Sequence, residues 1–194
     1  CQTSKSDIEK IDLTQFGVSN NLQLPSQLDP LGIIELRGTI DGFYNDFSFD
    51  FNVQTEKGNI DGDFICHLDD HQQFFYKGNL KTFDFDAGVI TDDSGLGTFS
   101  SDISIDGKGL TLEDMSIIID GQFEKLTFNN YVYDDISVHG KLKDKAFNGE
   151  FDLFDKNIDL VFKGDFDLSQ NPVLFDFNIN LQKAHLYDLN IINE

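Results

Sequence analysis

The stretch Phe47-Ser48-Phe49-Asp50-Phe51-Asn52-Val53-Gln54 decides how the chain is read. Large apolar side chains take every second position and polar ones the rest, which is the period of a strand with one buried face. A helix would scatter the same residues around its circumference. The alternation continues outward through Phe99 to Ile105, Ile117 to Phe123, Ile136 to Leu142, Phe147 to Leu153, Ile158 to Leu168 and Phe175 to Leu181. Asp, Asn and Gly punctuate it at Asp41-Gly42, Asp69-Asp70, Asp92-Asp93-Ser94-Gly95, Asn129-Asn130 and Asp155-Lys156-Asn157, where tight turns are expected. The spacing predicts about a dozen short strands. Only Ser6 to Leu13, with Ser6 as a cap, and Pro25 to Leu31, with Pro25 near a first helical position, invite helix.

A second pattern lies on the first: apolar, any, Gly, any, apolar. It centres on Gly38, Gly62, Gly78, Gly121, Gly140, Gly149 and Gly164, a quasi-repeat without a fixed period. Asp61-Gly62 would normally signal a two-residue hairpin turn. Such a turn throws Ile60 and Phe64 to opposite faces, whereas a continuous strand keeps them together, and the strand reading wins. Each glycine then leaves a gap in the middle of an apolar face. Glycine inside a strand marks a bend or a close approach by something else. The spacing leaves two readings open: an ordinary sandwich bent at its glycines, or an interior kept free for a ligand.

Composition bounds the function. The 194 residues hold 20 Phe and 18 Ile, ample apolar surface for folding despite a formal charge of −21. No apolar run exceeds three residues, so no stretch reads as a membrane-spanning helix, and direct insertion into a bilayer is not expected. With 35 acidic against 14 basic residues, the field repels phosphate backbones, and nucleic acid is excluded as a partner. Cys1 and Cys66 are too few for a disulfide framework. Cys1 fits either the mature end of a lipoprotein or a start in mid-chain.

Few residues carry recognisable chemistry. Cys66-His67-Leu68-Asp69-Asp70-His71 contains metal-ligand types, but alternation turns Cys66 and His67 to opposite faces. A solvated hairpin tip is expected there, and no metal or cofactor. His139 and His185 read as surface histidines without partners that would make them bases. Asp50, Asp63, Asp84, Asp120, Asp152, Asp167 and Asp176 all fall on outward positions and read as a solvated face. Nucleophile-elbow, phosphate-loop and His-Glu-x-x-His patterns are missing, so the chain is not expected to be an enzyme.

Beyond these local readings, Leu24-Pro25-Ser26-Gln27-Leu28-Asp29-Pro30-Leu31-Gly32 with Leu36-Arg37-Gly38-Thr39-Ile40-Asp41-Gly42 resembles a passage of the large TamB-like proteins of Bacteroidota, within the AsmA family. Asn129-Asn130-Tyr131-Val132-Tyr133-Asp134-Asp135-Ile136-Ser137-Val138-His139-Gly140, then Phe147-Asn148-Gly149 and Asp155-Lys156-Asn157-Ile158, follow in the same order. The closing Phe177-Asn178-Ile179 and Ala184-His185-Leu186-Tyr187-Asp188-Leu189 are similar too. The resemblance implies an all-β fold of elongated antiparallel strands, forming a bent, groove-like sheet with one apolar concave face. Residues 1–30 would be an irregular lead-in and 31–194 a single run of strand repeats, an interior piece of a longer chain. It further implies a periplasmic setting in a Gram-negative bacterium, with the parent chain anchored in the inner membrane. Phospholipid acyl chains would be the cargo, and an Omp85-class outer-membrane barrel a partner reached through other parts of the chain.

On this reading the groove is lined by Leu36, Ile40, Phe47, Phe49, Phe51, Ile60, Phe64, Tyr76, Ile103, Ile105, Ile117, Ile119, Phe123, Val138, Phe147, Phe151, Phe162, Phe166 and Phe177. The seven glycines would bend the strands and leave room in the trough. The expected function is lipid transport toward the outer membrane, outer-membrane protein assembly, or both. A structural or adhesive β-solenoid with a filled core explains the alternation as well, and would hold no lipid.

Overall fold

A computed structural model describes residues 6–12, 26–91, 95–111, 113–167, 169 and 174–192. Eleven strands form one antiparallel sheet: β1 (Ser6–Asp12), β2 (Glu35–Phe43), β3 (Asp46–Thr55), β4 (Gly58–Leu68), β5 (Phe74–Asp86), β6 (Leu96–Lys108), β7 (Ser116–Phe128), β8 (Tyr131–Lys143), β9 (Ala146–Phe154), β10 (Ile158–Asp167) and β11 (Leu174–Ala184). Spatial order equals sequence order, so every connection joins adjacent strands and none crosses the sheet. β1 and β11 stand at opposite ends without pairing, leaving the sheet curled and open. The fold is all-β, as the alternation predicts.

Three local expectations are corrected. Ser6 to Asp12 is a strand, not a helix, and joins the sheet from within the lead-in. Ile8 and Ile11 are spaced as on a helix, but a bulge between them sets Ile8 opposite Gly38 and Ile11 opposite Leu36, so residues three apart meet partners two apart. Leu13 lies outside the described residues. Asp41-Gly42 is not a turn but the end of β2, and the chain reverses at Tyr44-Asn45 instead. Gly42 has φ 136° and stands opposite Phe47, whose backbone fills the space a Cβ would need. Because such signals fall inside strands, those from β2 onward run 9 to 13 residues. The helical expectation at Pro25 to Leu31 becomes a 3₁₀ helix over Ser26–Leu31 with Pro30 inside it, and Pro25 lies outside the described residues. Asp92, Asp93 and Ser94 also lie outside them, while Asp69-Asp70, Asn129-Asn130 and Lys156-Asn157 do mark reversals between strands.

What core there is collects along one lip of the sheet. The 3₁₀ helix and the four-residue helix α1 (Gly88–Thr91) touch each other there, and Leu31 and Ile34 pack with Phe85, Val53, Ile60, Val89 and Phe99. Farther along the same lip, Tyr131, Tyr133, Ile136, Leu153, Ile158 and Leu189 form a second cluster. Breaks in the alternation make both possible. The register slips between Thr82 and Phe85, with Asp84 at φ 46°, whereas β8 keeps its register against β7 and only its alternation breaks, with Asp135 at φ 51° beside Ile136. Each break lets residues three apart share a face, so Phe85 and Tyr133 reach the lip. Among the described residues the rest of the sheet has no second layer. Accessible surface is 12958 Å², against about 9,300 Å² for a compact chain of this mass.

Candidate functional site: an apolar trough

Antiparallel pairing carries the alternation of one strand into its neighbours, and here it assembles four rows across the sheet. One inner row runs Ile40, Phe49, Phe64, Gly78, Ile105, Ile119, Gly140, Gly149, Gly164, Phe177. The other runs Gly38, Phe51, Gly62, Leu80, Ile103, Gly121, Val138, Phe151, Phe162, Ile179. Outside them lie a row through Phe47, Cys66, Tyr76, Ile117, Leu142, Phe147 and Phe166, and a row through Leu36, Val53, Ile60, Thr82, Ser101, Phe123, Ile136 and Leu153. All nineteen residues expected to line a groove therefore share one face. Ten strands at about 4.8 Å spacing give rows roughly 43 Å long.

The seven glycines fall only in the two inner rows. Their φ angles are not among the positive ones, so what matters is the missing Cβ and not left-handed backbone. At Gly38, Gly78, Gly121 and Gly164, a Cβ would meet the backbone carbonyl of Asp50, Asp63, Asp102 or Asp176 on the neighbouring strand. The neighbouring backbone thus comes closer at these positions than any side chain there would allow. At Gly62 and Gly140 the space is taken by the rings of Phe51 and Phe147. The expectation that glycines leave room in the trough is corrected: they seat neighbouring rings and backbone.

Among the described residues no element forms a layer over the two inner rows. Of the lining side chains described, which exclude Phe166, none is buried: Ile40 and Phe177 are 41% and 38% exposed and the others half-buried. Aromatic rings concentrate toward the two ends, with Phe49 on Phe51 at 5.0 Å and Phe162 on Phe177 at 5.2 Å. Between them the inner rows are largely isoleucine and glycine. At the lip, the Tyr131 hydroxyl donates to the Asp155 carboxylate, which also accepts the Asn157 N–H at 2.8 Å. Burial first, and then the Asp155 carboxylate, push the Tyr131 hydroxyl up to about 12. Burial would raise Asp155, but the hydrogen bonds from Tyr131 and Asn157 outweigh it and hold that carboxyl below its ordinary value.

The opposite face is polar and laced with cross-strand pairs, Lys81 to Asp102 at 2.7 Å, Lys77 to Asp106 at 2.8 Å and Lys163 to Glu150 at 3.1 Å. Two expectations change there. His139 is not without a partner, since its Nδ1 lies 2.6 Å from Asp120 Oδ2, directly across from it. His185 Nδ1 lies 3.7 Å from Asp188. Of the seven aspartates expected to be solvated, Asp152 and Asp167 are half-buried, and Asp152 Oδ1 is buried with no hydrogen-bond partner among the described residues. Cys66 points into the sheet's apolar side, where burial raises its thiol, and His67 is exposed on the other face. Among the described residues no group of three or more His, Cys, Asp or Glu converges as a metal would need, and no helix is long and apolar enough to cross a membrane.

The lip residues Tyr131, Tyr133, Leu31, Ile34 and Leu189 were not expected. Tyr131 and Tyr133 alternate like any strand pair, and only the break in alternation at Asp135, with its positive φ, sets their role. Leu80 and Leu142 were legible as the closing apolar positions of two glycine motifs.

Fold and site together define a class: a curled, open antiparallel sheet whose apolar face carries no second layer among the described residues. No protein-family model, curated protein or solved structure matches the chain.

Proposed function

We propose that the chain is a segment of an envelope lipid conduit of the AsmA and TamB type, whose trough shelters phospholipid acyl chains moving toward the outer membrane of a Gram-negative cell. Outer-membrane protein assembly would be a linked duty, with an Omp85-class barrel engaged by other parts of the chain. The observation that carries this reading is the pair of inner apolar rows, continuous over ten strands and not covered by a second layer among the described residues. A methylene exposed to water costs about 0.8 kcal/mol, so a sixteen-carbon tail crossing the periplasm unaided faces roughly 12 kcal/mol. A half-buried apolar floor removes much of that cost. Its contacts are non-directional, so a tail slides without a deep stop. Bilayer tails are about 15 Å long, half of a 30 Å hydrocarbon core, so the rows hold one lengthwise with space to advance. The polar face and the −21 charge keep the outside wet and away from anionic membrane surfaces. No catalytic role is assigned.

The rival, a structural or adhesive β-solenoid, draws on the rings seated over Gly62 and Gly140. Mass spectrometry of gently purified protein separates the two. Co-purifying phospholipid is expected, and a folded protein free of lipid after extraction from an envelope fraction overturns the conduit.

A further inference from the structure

The two lips of the trough are built differently. Nine of the ten buried apolar side chains among the described residues lie along one lip, and Cys66 alone lies along the other. At the packed lip, segments from outside the strands lean onto the trough face. Leu31 and Ile34 sit against Val53, Ile60, Phe85 and Phe99, and Leu189 against the β7 to β10 side. These segments are tied down: the Glu56 N–H donates to the Leu31 carbonyl at 3.3 Å, the His185 N–H to the Asn157 carbonyl at 2.8 Å, and Asn190 Nδ2 to the Asn129 carbonyl at 3.1 Å.

At the opposite lip, residues 44–45, 69–73, 109–115 and 144–145 join the strands, and among the described residues neither core cluster includes any of them. Phe47, Phe74 and Tyr76 form a string of half-buried rings there, with centroids 6.4 and 5.9 Å apart. Burial and then the Asp114 carboxylate raise the Tyr76 hydroxyl, so its phenol end is turned toward the 109–115 connection. A ring that is apolar along its body and polar at its tip suits the boundary between a lipid tail and water. The tips beyond it carry Tyr44 and Leu110, 87% and 70% exposed.

We propose that this opposite lip is the open one: a phospholipid lying in the trough holds its headgroup over the connections at 44–45, 69–73 and 109–115, and enters and leaves across them. The inference rests on the lipid reading above and adds which side of the trough the polar end takes. A charged headgroup has to stay hydrated, because burying an ionised group without partners is strongly unfavourable. Over the packed lip it would have to displace Leu31, Ile34 or Leu189 from apolar contacts. Over the open lip no described segment stands in its way.

Paramagnetic broadening in NMR spectra of the 194-residue chain tests this, using phosphatidylcholine that carries a nitroxide either on the choline nitrogen or at the end of one tail. The lips stand at opposite ends of strands 9 to 13 residues long, so the label tells them apart. With the headgroup label, the amide signals of Tyr44, Gln72 and Leu110 are expected to broaden, and those of Lys57, Asn130 and Tyr187 to keep their intensity. With the tail label, Phe64 and Ile119 are expected to broaden. Tail broadening at Phe64 and Ile119 with headgroup broadening at both lips, at the packed lip alone or at neither overturns this inference and leaves the conduit standing. No broadening from either label overturns the lipid reading, and this inference with it.

Discussion

The ring of Phe51 lies where a Cβ on Gly62 would sit, the two residues standing directly opposite each other across β3 and β4. The atoms in the way are the far end of a side chain, which can swing aside. At Gly121 the obstruction is the Asp102 carbonyl and the Ile103 Cα, which cannot move without the strand. Gly62→Ala is therefore expected to cost about 1 kcal/mol or less, and Gly121→Ala about 2 to 3 kcal/mol. Urea unfolding of the two variants checks this ordering. Equal costs would mean that the curl does not depend on the inner-row glycines.

The facing assignment has its own test. Phe49 and Phe64 are paired neighbours on the trough side, and Asp50 is exposed on the other. Phe49→Asp or Phe64→Asp places a charge among apolar side chains and is expected to cost about 2 to 4 kcal/mol and abolish lipid capture. Asp50→Asn is expected to change stability by no more than about 0.5 kcal/mol and leave lipid capture intact. Denaturant melts with lipid mass spectrometry on the same samples report both. Indistinguishable behaviour of the two sets contradicts the assignment.

Tyr131 gives the lip a pH dependence of known sign. Its hydroxyl is raised from 10.0 to about 12 in the folded chain. The stability it contributes is complete below pH 10 and lost as pH rises from there toward about 12. Solvent bordering the lip screens the interaction, and the loss over that range is expected to be about 1 to 2 kcal/mol. Asp155 titrates in the opposite sense, so its contribution is present above its ordinary range near pH 4 and lost as pH falls below it. Tyr131→Phe is expected to flatten the alkaline limb and to cost about 1 to 3 kcal/mol near neutrality, because Asp155 loses a buried donor. Thermal melts of both proteins from neutral to alkaline pH measure this.

Leu189 is fully buried against the β7 to β10 side of the lip, well separated from the cluster around Leu31. Leu189→Ala is expected to cost about 2 to 4 kcal/mol. Faster hydrogen exchange should be confined to residues 185–191 and the start of β8. Loss of protection in β2 to β5 as well would show that the two clusters form one cooperative unit.

The apolar face was legible because alternation and register obey one rule: once Phe47 to Gln54 is a strand, pairing propagates its parity through every neighbour. The glycine motif was legible as a position but not as a mechanism, since the sequence does not say whether a gap stays empty or receives a ring such as that of Phe51. The lip was hidden. Asp84 and Asp135 look like ordinary polar positions, yet their positive φ angles shift the parity that follows, and Phe85 becomes buried. Leu31 and Leu189 are placed by contacts with residues far away in the chain, which no local pattern encodes. Ser6 to Asp12 misled because a bulge makes a strand imitate helical spacing.

Whether acyl chains occupy the uncovered face is tested most directly by photo-crosslinking. A benzophenone amino acid replaces Phe64 or Ile119 on the trough side, or Lys77 on the polar side, in protein incubated with phospholipid vesicles. Lipid adducts at Phe64 and Ile119 and none at Lys77 are expected. Adducts at all three positions, or at none while the protein remains folded, would contradict a trough that holds lipid.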